Sequence, residues 1–207
     1  QKPHPPLWSA CGSEETTRLT GEMGLGALVG SEGGPEKVAE VLELYNKTIK
    51  ASHADGAYIN HQTALMTAGF CHEDSKVVEE RGTELVAWYM DQQRKRAQLV
   101  WGGVDPATVP PDYQGYYERD KHLAAGPHPG DPTPADVVKR GTNFCVGTPD
   151  DCIKFYESYE AMGVEQVFLL CAIGPAANEE VMNTIRLFGK YVIPYFKEKE
   201  KAQAAAV

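Results

Sequence analysis

Short apolar runs alternate along this chain with longer stretches in which apolar residues recur every three or four positions. The short runs predict buried strands, and the longer stretches predict helices with one apolar face. Strands are predicted at residues 7–11, 26–29, 63–70, 144–146 and 166–171. The last of these is almost continuously apolar, so we expect both of its faces to be covered.

The predicted helices carry recognisable start and stop signals. Ser13 precedes a helical stretch that ends before Gly24, and Pro35 and Pro149 occupy favoured first positions of helices. Further helices are predicted from about residue 73 and from Asn178. Strands that alternate with helices indicate βαβ units and a mostly parallel sheet, which an open doubly wound fold and part of a barrel both provide.

Two segments depart from this alternation. Residues 104–138 contain seven prolines, which predicts irregular structure there, either a functional loop or a solvated linker. Residues 197–206 are charged and then alanine-rich, typical of frayed helix or disorder, with a tail from residue 201.

Charge argues against nucleic acid as a partner. The net charge is −9, with 20 basic and 29 acidic side chains. The one basic cluster, Arg94–Lys95–Arg96, falls late in a predicted helix, where cations favour the helix end. A clustered basic surface, which binding along phosphates requires, is therefore not indicated.

The cysteines and the apolar residues indicate a protein of the reducing cytoplasm. Five scattered cysteines form no Cys-x-x-Cys pair, so neither a disulfide framework nor a metal site is predicted. No apolar run approaches the length of about 18 residues that a membrane span requires, so no membrane partner is expected.

Two parts of the sequence resemble the bacterial luciferase and luciferase-like monooxygenase family. The first comprises residues 5–16 (PPLWSACGSEET) and 24–28 (GLGAL). The second begins with residues 146–153 (VGTPDDCI) and 162–167 (MGVEQV), and continues through 178–181, 187–189 and 192–199. These stretches frame nearly the whole chain, and residues 104–138 match least.

The resemblance implies a (β/α)8 TIM barrel, of which this chain is roughly the second half, with residues 1–200 as one domain. It implies an FMN-dependent monooxygenase, in which a separate reductase supplies reduced FMN and O2 oxidises an aldehyde or another small organic substrate. Two alternatives stay open: a non-catalytic flavin-binding or supporting subunit, and an F420-dependent oxidoreductase. The family's catalytic histidine lies in the first half, so no catalytic residue is assigned here.

Half of a barrel leaves two unpaired sheet edges and an incomplete site. We therefore expect the isolated chain to be inactive and either to form a homodimer or a heterodimer or to aggregate. The 104–138 segment matches in position the mobile segment that closes over flavin in luciferases, with Tyr113, Tyr116, Tyr117 and His122 as candidate lining residues.

The turn after the first strand is the candidate cofactor site. By resemblance, Ser13 and Thr16 match a serine and a threonine that bind the FMN phosphate, and Gly12 lies beside the polar part of the flavin. Amides at a helix start attract phosphate, but Ser13 followed by two acids is also an ordinary helix cap. The candidate cofactor-binding residues are Ala10, Cys11, Gly12, Ser13 and Thr16.

Two other motifs have mainly structural interpretations. Thr148 with Asp151 three residues later is typical of a capping box, although the family shares it. His72 follows the third predicted strand at the end where barrel enzymes place their catalysis, but a lone histidine there is more often structural.

Overall fold

The computed structural model describes residues 4–50 and 59–205. It contains a parallel sheet of the strands β1 (Trp8–Ala10), β2 (Gly26–Gly30), β3 (Thr63–Cys71), β4 (Cys145–Gly147) and β5 (Gln166–Leu170). The α-helices are α1 (Glu14–Glu22), α2 (Gly34–Lys50), α3 (Ser75–Val77), α4 (Thr83–Trp101), α5 (Gln114–Ala124), α6 (Pro134–Arg140), α7 (Pro149–Glu160), α8 (Asn178–Leu187) and α9 (Ile193–Ala205). The predicted alternation of parallel strands and helices is confirmed.

Strand β3 is the centre of the sheet. Its first half pairs with β2 on Ala27↔Thr63 and with β5 on Ala64↔Gln166. Its last three residues, from Gly69, pair with β4. Strand β1 pairs with β2, so within the described residues β1 and β5 each have one unpaired edge.

Helices α1 and α2 hold the first two strands against β3. Tyr45 of α2 is fully buried, and its hydroxyl donates to the carbonyls of Leu25 at 2.9 Å and Asn60 at 3.0 Å. The side chain of Asn60 in turn donates to the carbonyl of Leu7 at 3.0 Å. These bonds join the start of β2 to both neighbouring chain segments and fix the strands whose other ends form the candidate site.

The prediction that residues 104–138 lack regular structure was wrong. Helix α5 occupies residues between Pro111 and Pro127, a stretch without proline. Pro134 stands at the first position of α6, where its missing amide costs nothing, and Thr133 caps that helix. The prolines therefore delimit two helices instead of preventing them.

The expectation that β5 is covered on both faces was also wrong. Val167 is 43% exposed and Phe168 is 50% exposed, although both are large apolar residues. Strand β5 pairs only with β3 among the described strands and so lies at an edge of the sheet, where these side chains stay about half exposed. Its apolar run fits a closed barrel, of which this part of the chain provides one portion.

Two helical stretches are interrupted by single π-helical turns, at Val78–Gly82 and Phe188–Val192. The second turn is followed by α9, which continues as helix through the predicted tail to Ala205. The remaining predicted tail residues, 206–207, lie outside the described residues. In the part of the chain that the structure covers, no helix is both long enough and apolar enough to traverse a lipid bilayer.

Candidate functional site

A cleft of about 1020 Å³ lies over the carboxyl ends of β1 and β2. Cys11, Gly12 and Ser13 line it after β1, and Val29 and Gly30 line it at the end of β2. Helices α2 and α4 and residues of the 104–138 segment complete its walls. The volume is at the upper end of the range for small-molecule sites, which suits a cofactor together with a substrate.

The start of α1 combines a filled cap with open amides. Ser13 and Thr16 form a capping box: the Thr16 amide donates to Ser13 Oγ at 3.2 Å, and the Ser13 amide donates to Thr16 Oγ1 at 3.0 Å. Thr16 Oγ1 also lies 3.0 Å from Ser13 Oγ, so the two hydroxyls satisfy each other. Within the described residues the amides of Glu14 and Glu15 have no acceptor, as expected for a first helical turn.

Arg119 of α5 lies directly beside this turn. A Cβ placed on Gly12 would come within 3.3 Å of Arg119 Nη1, so glycine lets the guanidinium approach the backbone. Arg119 Nε and Nη2 donate to the two carboxylate oxygens of Asp120 at 2.7 and 3.0 Å. This two-point contact fixes the guanidinium plane and directs its remaining nitrogen towards Gly12.

Asp120 is shared by two cations. The carboxylate is 2% exposed, and Arg96 Nη2 of α4 donates to Oδ2 at 3.1 Å in addition to the bonds from Arg119. Burial opposes the charge of Asp120, but the hydrogen bonds from Arg119 and the charges of Arg119 and Arg96 outweigh it and lower the pKa of the carboxyl. The group therefore remains an anion at neutral pH and ties α5 to α4.

The cleft is lined by equal numbers of acidic and basic side chains, but these side chains are not paired one to one. Among the described residues, five acids and five bases line it: Glu14, Glu32, Glu40, Glu43 and Asp120 with Lys37, Lys47, Arg94, Arg96 and Arg119. Arg94 makes no ion pair within the described residues, so its charge is available to a ligand. Glu14 lies in the cleft next to the open amides, and its carboxylate opposes an anion there.

A network of polar groups lies at the other wall of the cleft. Tyr89 of α4 donates to Glu32 Oε1 at 2.8 Å, and Asn143 Nδ2 donates to the Glu32 carbonyl at 2.8 Å. Ser31 Oγ bridges this group to the sheet through the Asn143 carbonyl at 2.6 Å and Thr67 Oγ1 at 2.9 Å. Burial, together with the neighbouring Glu32 carboxylate, raises the pKa of Tyr89 to about 12.

Comparison with protein families identifies the fold to which this cleft belongs. The model of the luciferase-like monooxygenase family matches residues 1–166. The chain belongs to the luciferase-like monooxygenase family. A comparison with curated proteins found no match.

Solved structures of this fold match nearly all of the chain. The monooxygenase RslO1 from Streptomyces bottropensis is 20% identical, with a TM-score of 0.61 over 95% of this chain and 50% of that one. The coenzyme F420 dependent tetrahydromethanopterin reductase from Methanopyrus kandleri is 21% identical, with a TM-score of 0.56 over 92% of this chain and 51% of that one.

A third similar structure contains a bound cofactor. The oxygenating constituent of 3,6-diketocamphane monooxygenase from Pseudomonas putida, in complex with FMN, is 19% identical, with a TM-score of 0.55 over 90% of this chain and 47% of that one. This luciferase-like chain therefore has the fold of about half of a TIM barrel, and spans about half the length of the solved structures that it matches.

The predicted site residues of this luciferase-like chain separate into two groups. Cys11, Gly12 and Ser13 line the cleft, whereas Ala10 and Thr16 do not. Burial raises the pKa of Cys11, so its thiol is neutral and serves as a packing group.

The structure also locates the other candidate residues. His72 does not line the cleft; its ring accepts from the Asp74 amide at 3.0 Å and stacks on Phe70, which supports the structural interpretation. Thr148 forms a capping box with Asp151, as predicted. Tyr113 and Tyr116 line a smaller pocket beside the cleft.

Several site residues were missed by sequence reasoning, notably Arg119, Asp120, Glu32 and Tyr89. Arg119, Glu32 and Tyr89 belong to no local motif, because Arg119 meets Gly12, and Tyr89 meets Glu32, only after the chain folds. For Arg94 and Arg96 the sequence does carry a signal, the basic cluster Arg94–Lys95–Arg96, although its position late in a predicted helix favours a role at the helix end.

Proposed function

We propose that the cleft binds FMN, with the cofactor phosphate at the first turn of α1, as part of a flavin-dependent monooxygenase. One observation carries this proposal: Arg119 Nη1 lies beside Gly12, and both line, together with Ser13 and Glu14 at the start of α1, a cleft large enough for a flavin. Helix-start amides and a guanidinium together form the donor set that phosphate favours.

The residues of the chain have distinct roles in this proposal. Arg119 binds the phosphate, and Asp120 orients Arg119 through its two-point contact. Tyr89 keeps its proton at neutral pH, so it serves as a hydrogen-bond donor at the wall of the cleft. Helix α5 lies over the turn and limits the access of water, which matters because reduced flavin, when bound, supplies the electrons for the reaction of O2 with an organic substrate.

The hydroxyls of Ser13 and Thr16 have a different role from the one that the resemblance implied. Each is already bonded to the cap of α1. We therefore assign phosphate binding to the amides of the turn and to Arg119, and we assign to the two hydroxyls the task of holding the turn in shape. Ala10 and Cys11 contribute the end of the strand that leads into it.

F420 is the alternative cofactor, and it is favoured by two similar structures that are described as F420 dependent, the tetrahydromethanopterin reductase and a secondary alcohol dehydrogenase. A non-catalytic flavin-binding or supporting subunit is the second alternative. A protein described as flavoprotein 390, a name that states flavin binding alone, also matches, at 14% identity with a TM-score of 0.53. An aldehyde or another small organic compound, O2 and a separate flavin reductase remain part of the monooxygenase proposal.

Binding of FMN and riboflavin to the chain tests the phosphate site, because the two ligands differ only in the phosphate. Arg119→Met should weaken FMN binding about tenfold or more and leave riboflavin binding unchanged, since a charge-assisted bond to phosphate is lost. Lys121→Met is the matched control, because Lys121 lies exposed on the same helix, is paired with Glu118 and does not line the cleft. Equal losses for both ligands would contradict the proposal.

The products formed from reduced cofactor distinguish the three activities in the protein that carries this chain. Formation of an oxidised product from an added aldehyde, in place of the H2O2 that free reduced FMN yields spontaneously with O2, supports a monooxygenase. Oxidation of reduced F420 without O2 uptake supports the F420 alternative, and binding without either reaction supports a non-catalytic subunit. We place this activity in the cytoplasm, where the five cysteines, all free in the structure, would stay reduced.

A further inference from the structure

Glu32 lines a part of the cleft that is separate from the phosphate-binding turn. It is bonded to Tyr89 of α4, whereas Arg96 of the same helix is bonded to Asp120 on the phosphate side. Tyr89 and Arg96 are two helical turns apart, about 10 Å at roughly 1.5 Å per residue. A ligand group that binds Glu32 therefore lies away from a phosphate that Arg119 holds.

The side chain of Glu32 is fixed over the carboxyl end of β2. A Cβ placed on Gly30 would collide with Glu32 Oε2, so the carboxylate lies against the backbone of the strand and requires glycine there. Tyr89 donates to Glu32 Oε1 at 2.8 Å, and the Tyr89 ring is itself held edge-on against Phe144, at 5.3 Å and 73°. The bond from Asn143 to the Glu32 carbonyl fixes the backbone as well. The carboxylate is thus in position before a ligand binds.

The second oxygen of this carboxylate is open. Within the residues that the structure describes, Glu32 Oε2 accepts no hydrogen bond, and no lysine, arginine or histidine forms an ion pair with it. Two cations that line the cleft are paired with other acids, Lys37 with Glu40 and Arg96 with Asp120. A half-buried carboxylate with an open oxygen favours a ligand group that supplies both a donor and a positive charge.

Apolar side chains lie next to the open oxygen. Met66 is the residue of β3 that pairs with Gly30, so its side chain points to the same face of the sheet as the carboxylate. It lines the cleft and is 38% exposed, and Phe144 lines the cleft beside Tyr89. A flexible methionine and a fixed ring accommodate an apolar body attached to the charged group.

We infer that Glu32 determines the substrate specificity of this cleft, and that the substrate is a small apolar amine bound as its ammonium ion. The inference rests on the proposed function, because it makes the amine the compound that the flavin-dependent enzyme oxidises. Glu32 Oε2 accepts a hydrogen bond from the ammonium, Tyr89 positions the carboxylate through the other oxygen, and Met66 contacts the apolar body. Because the substrate is a cation, it is attracted by the phosphate of the cofactor in the same cleft.

Three ligands with the same phenyl ring and different terminal groups test this substrate class without flavin. 2-Phenylethylamine is a cation at pH 7, 2-phenylethanol is a neutral donor, and 3-phenylpropanoate is an anion. Their binding to the labelled chain is measured by NMR titration, which detects weak affinities. We expect the amine to bind about tenfold more tightly than the alcohol, and the anion to bind most weakly. An alcohol that binds as tightly as the amine would overturn the inference.

Two variants assign the preference for the amine to Glu32. Glu32→Gln retains an acceptor for Tyr89 and removes the charge, so the amine and the alcohol should bind equally. Gly30→Ala displaces the carboxylate but retains its charge, and the backbone φ of −87° at this position suits alanine, so the preference should fall to about threefold or less. A preference that survives Gly30→Ala in full would contradict the role of the fixed carboxylate.

Glu43→Gln is the matched control. Glu43 is an exposed acid of α2 that also lines the cleft, and its replacement removes the same charge. The tenfold preference for the amine should therefore remain in this variant. If Glu43→Gln abolishes the preference and Glu32→Gln does not, the amine binds elsewhere in the cleft and the inference is wrong.

Flavin binding separates failure of this inference from failure of the flavin proposal. Glu32→Gln should leave the affinities for FMN and riboflavin unchanged. If it weakens both flavins equally and leaves amine binding unchanged, Glu32 contacts the flavin ring and this inference alone is wrong. A chain that binds no FMN but retains the Glu32-dependent preference for the amine contradicts the flavin proposal alone.

Discussion

The two sides of this sheet have opposite environments although similar apolar strands form both. At the β1–β2 side the strand ends open into a cleft that α2, α4 and α5 enclose, and charged residues occupy fixed positions there. At the β5 side Val167 and Phe168 remain about half exposed. The chain thus encloses the strand ends at one side of its sheet and leaves apolar side chains half exposed at the other.

The enclosed side depends most on Asp120, so replacing this residue should have the largest effect on stability. We expect Asp120→Ala to lower the free energy of unfolding by about 2–3 kcal/mol, because three charge-assisted hydrogen bonds to half-exposed guanidiniums are lost. Urea unfolding measures the change. Glu118→Ala, which removes an exposed carboxylate from the same helix, should change the value by less than about 0.5 kcal/mol.

Low pH should abolish the stabilisation that the Asp120 carboxylate provides. The pKa of Asp120 in the folded protein lies below its value in the unfolded chain, which is about 3.9. Its stabilisation is therefore complete above about pH 4 and is lost as the pH falls through the lower, folded pKa. The difference in unfolding free energy between the natural protein and Asp120→Asn should be constant from pH 5 to 7 and should shrink below about pH 4. A difference that grows in acid would contradict this sign.

Self-association of the chain tests the role of the half-exposed strand β5. We propose that the exposed face of β5 promotes self-association, or association with another half-barrel, because apolar side chains on an unpaired strand invite pairing. Phe168→Glu should weaken self-association about tenfold in sedimentation equilibrium without unfolding the chain. Leu99→Glu adds the same charge at an apolar position that is 87% exposed on α4, and should have little effect. Equal effects of both changes would show that net charge, and not β5, controls association.

The smallest expected effect concerns the acid in the cleft. Glu14→Gln should strengthen FMN binding about twofold to fivefold at low salt, because a carboxylate beside the phosphate site is removed, and the gain should decrease as salt screens the charge. Glu15→Gln is the matched control, since Glu15 does not line the cleft. A weaker affinity after Glu14→Gln would indicate that the phosphate lies elsewhere.

Local sequence patterns predict most strands and helices of this fold. They fail where contacts between residues far apart in sequence determine the structure. Caps such as Thr148 are defined within four residues, so sequence reasoning located them. Residues 104–138 contain seven prolines, but the spacing of these prolines leaves room for α5, which their number alone does not reveal. Whether β5 is buried depends on elements elsewhere, which a single apolar run cannot reveal.

The candidate site was predictable only in part for the same reason. The turn at Gly12 and Ser13 could be found because a strand, a glycine and a cap follow one another in sequence. Arg119 lies more than a hundred positions away, and its role arises from contact with Gly12 after folding. Tyr89 and Glu32 likewise meet across 57 positions.

The central position of β3 has a consequence for synthesis on the ribosome. Thr63 and its partner Glu165 at the start of β5 are separated by 102 positions. At roughly 5–20 residues per second, one edge of β3 waits on the order of 5–20 s after its own translation before β5 is made. During that interval a nascent chain presents an unsatisfied strand edge, and its yield in the cell should depend on chaperones that shield it.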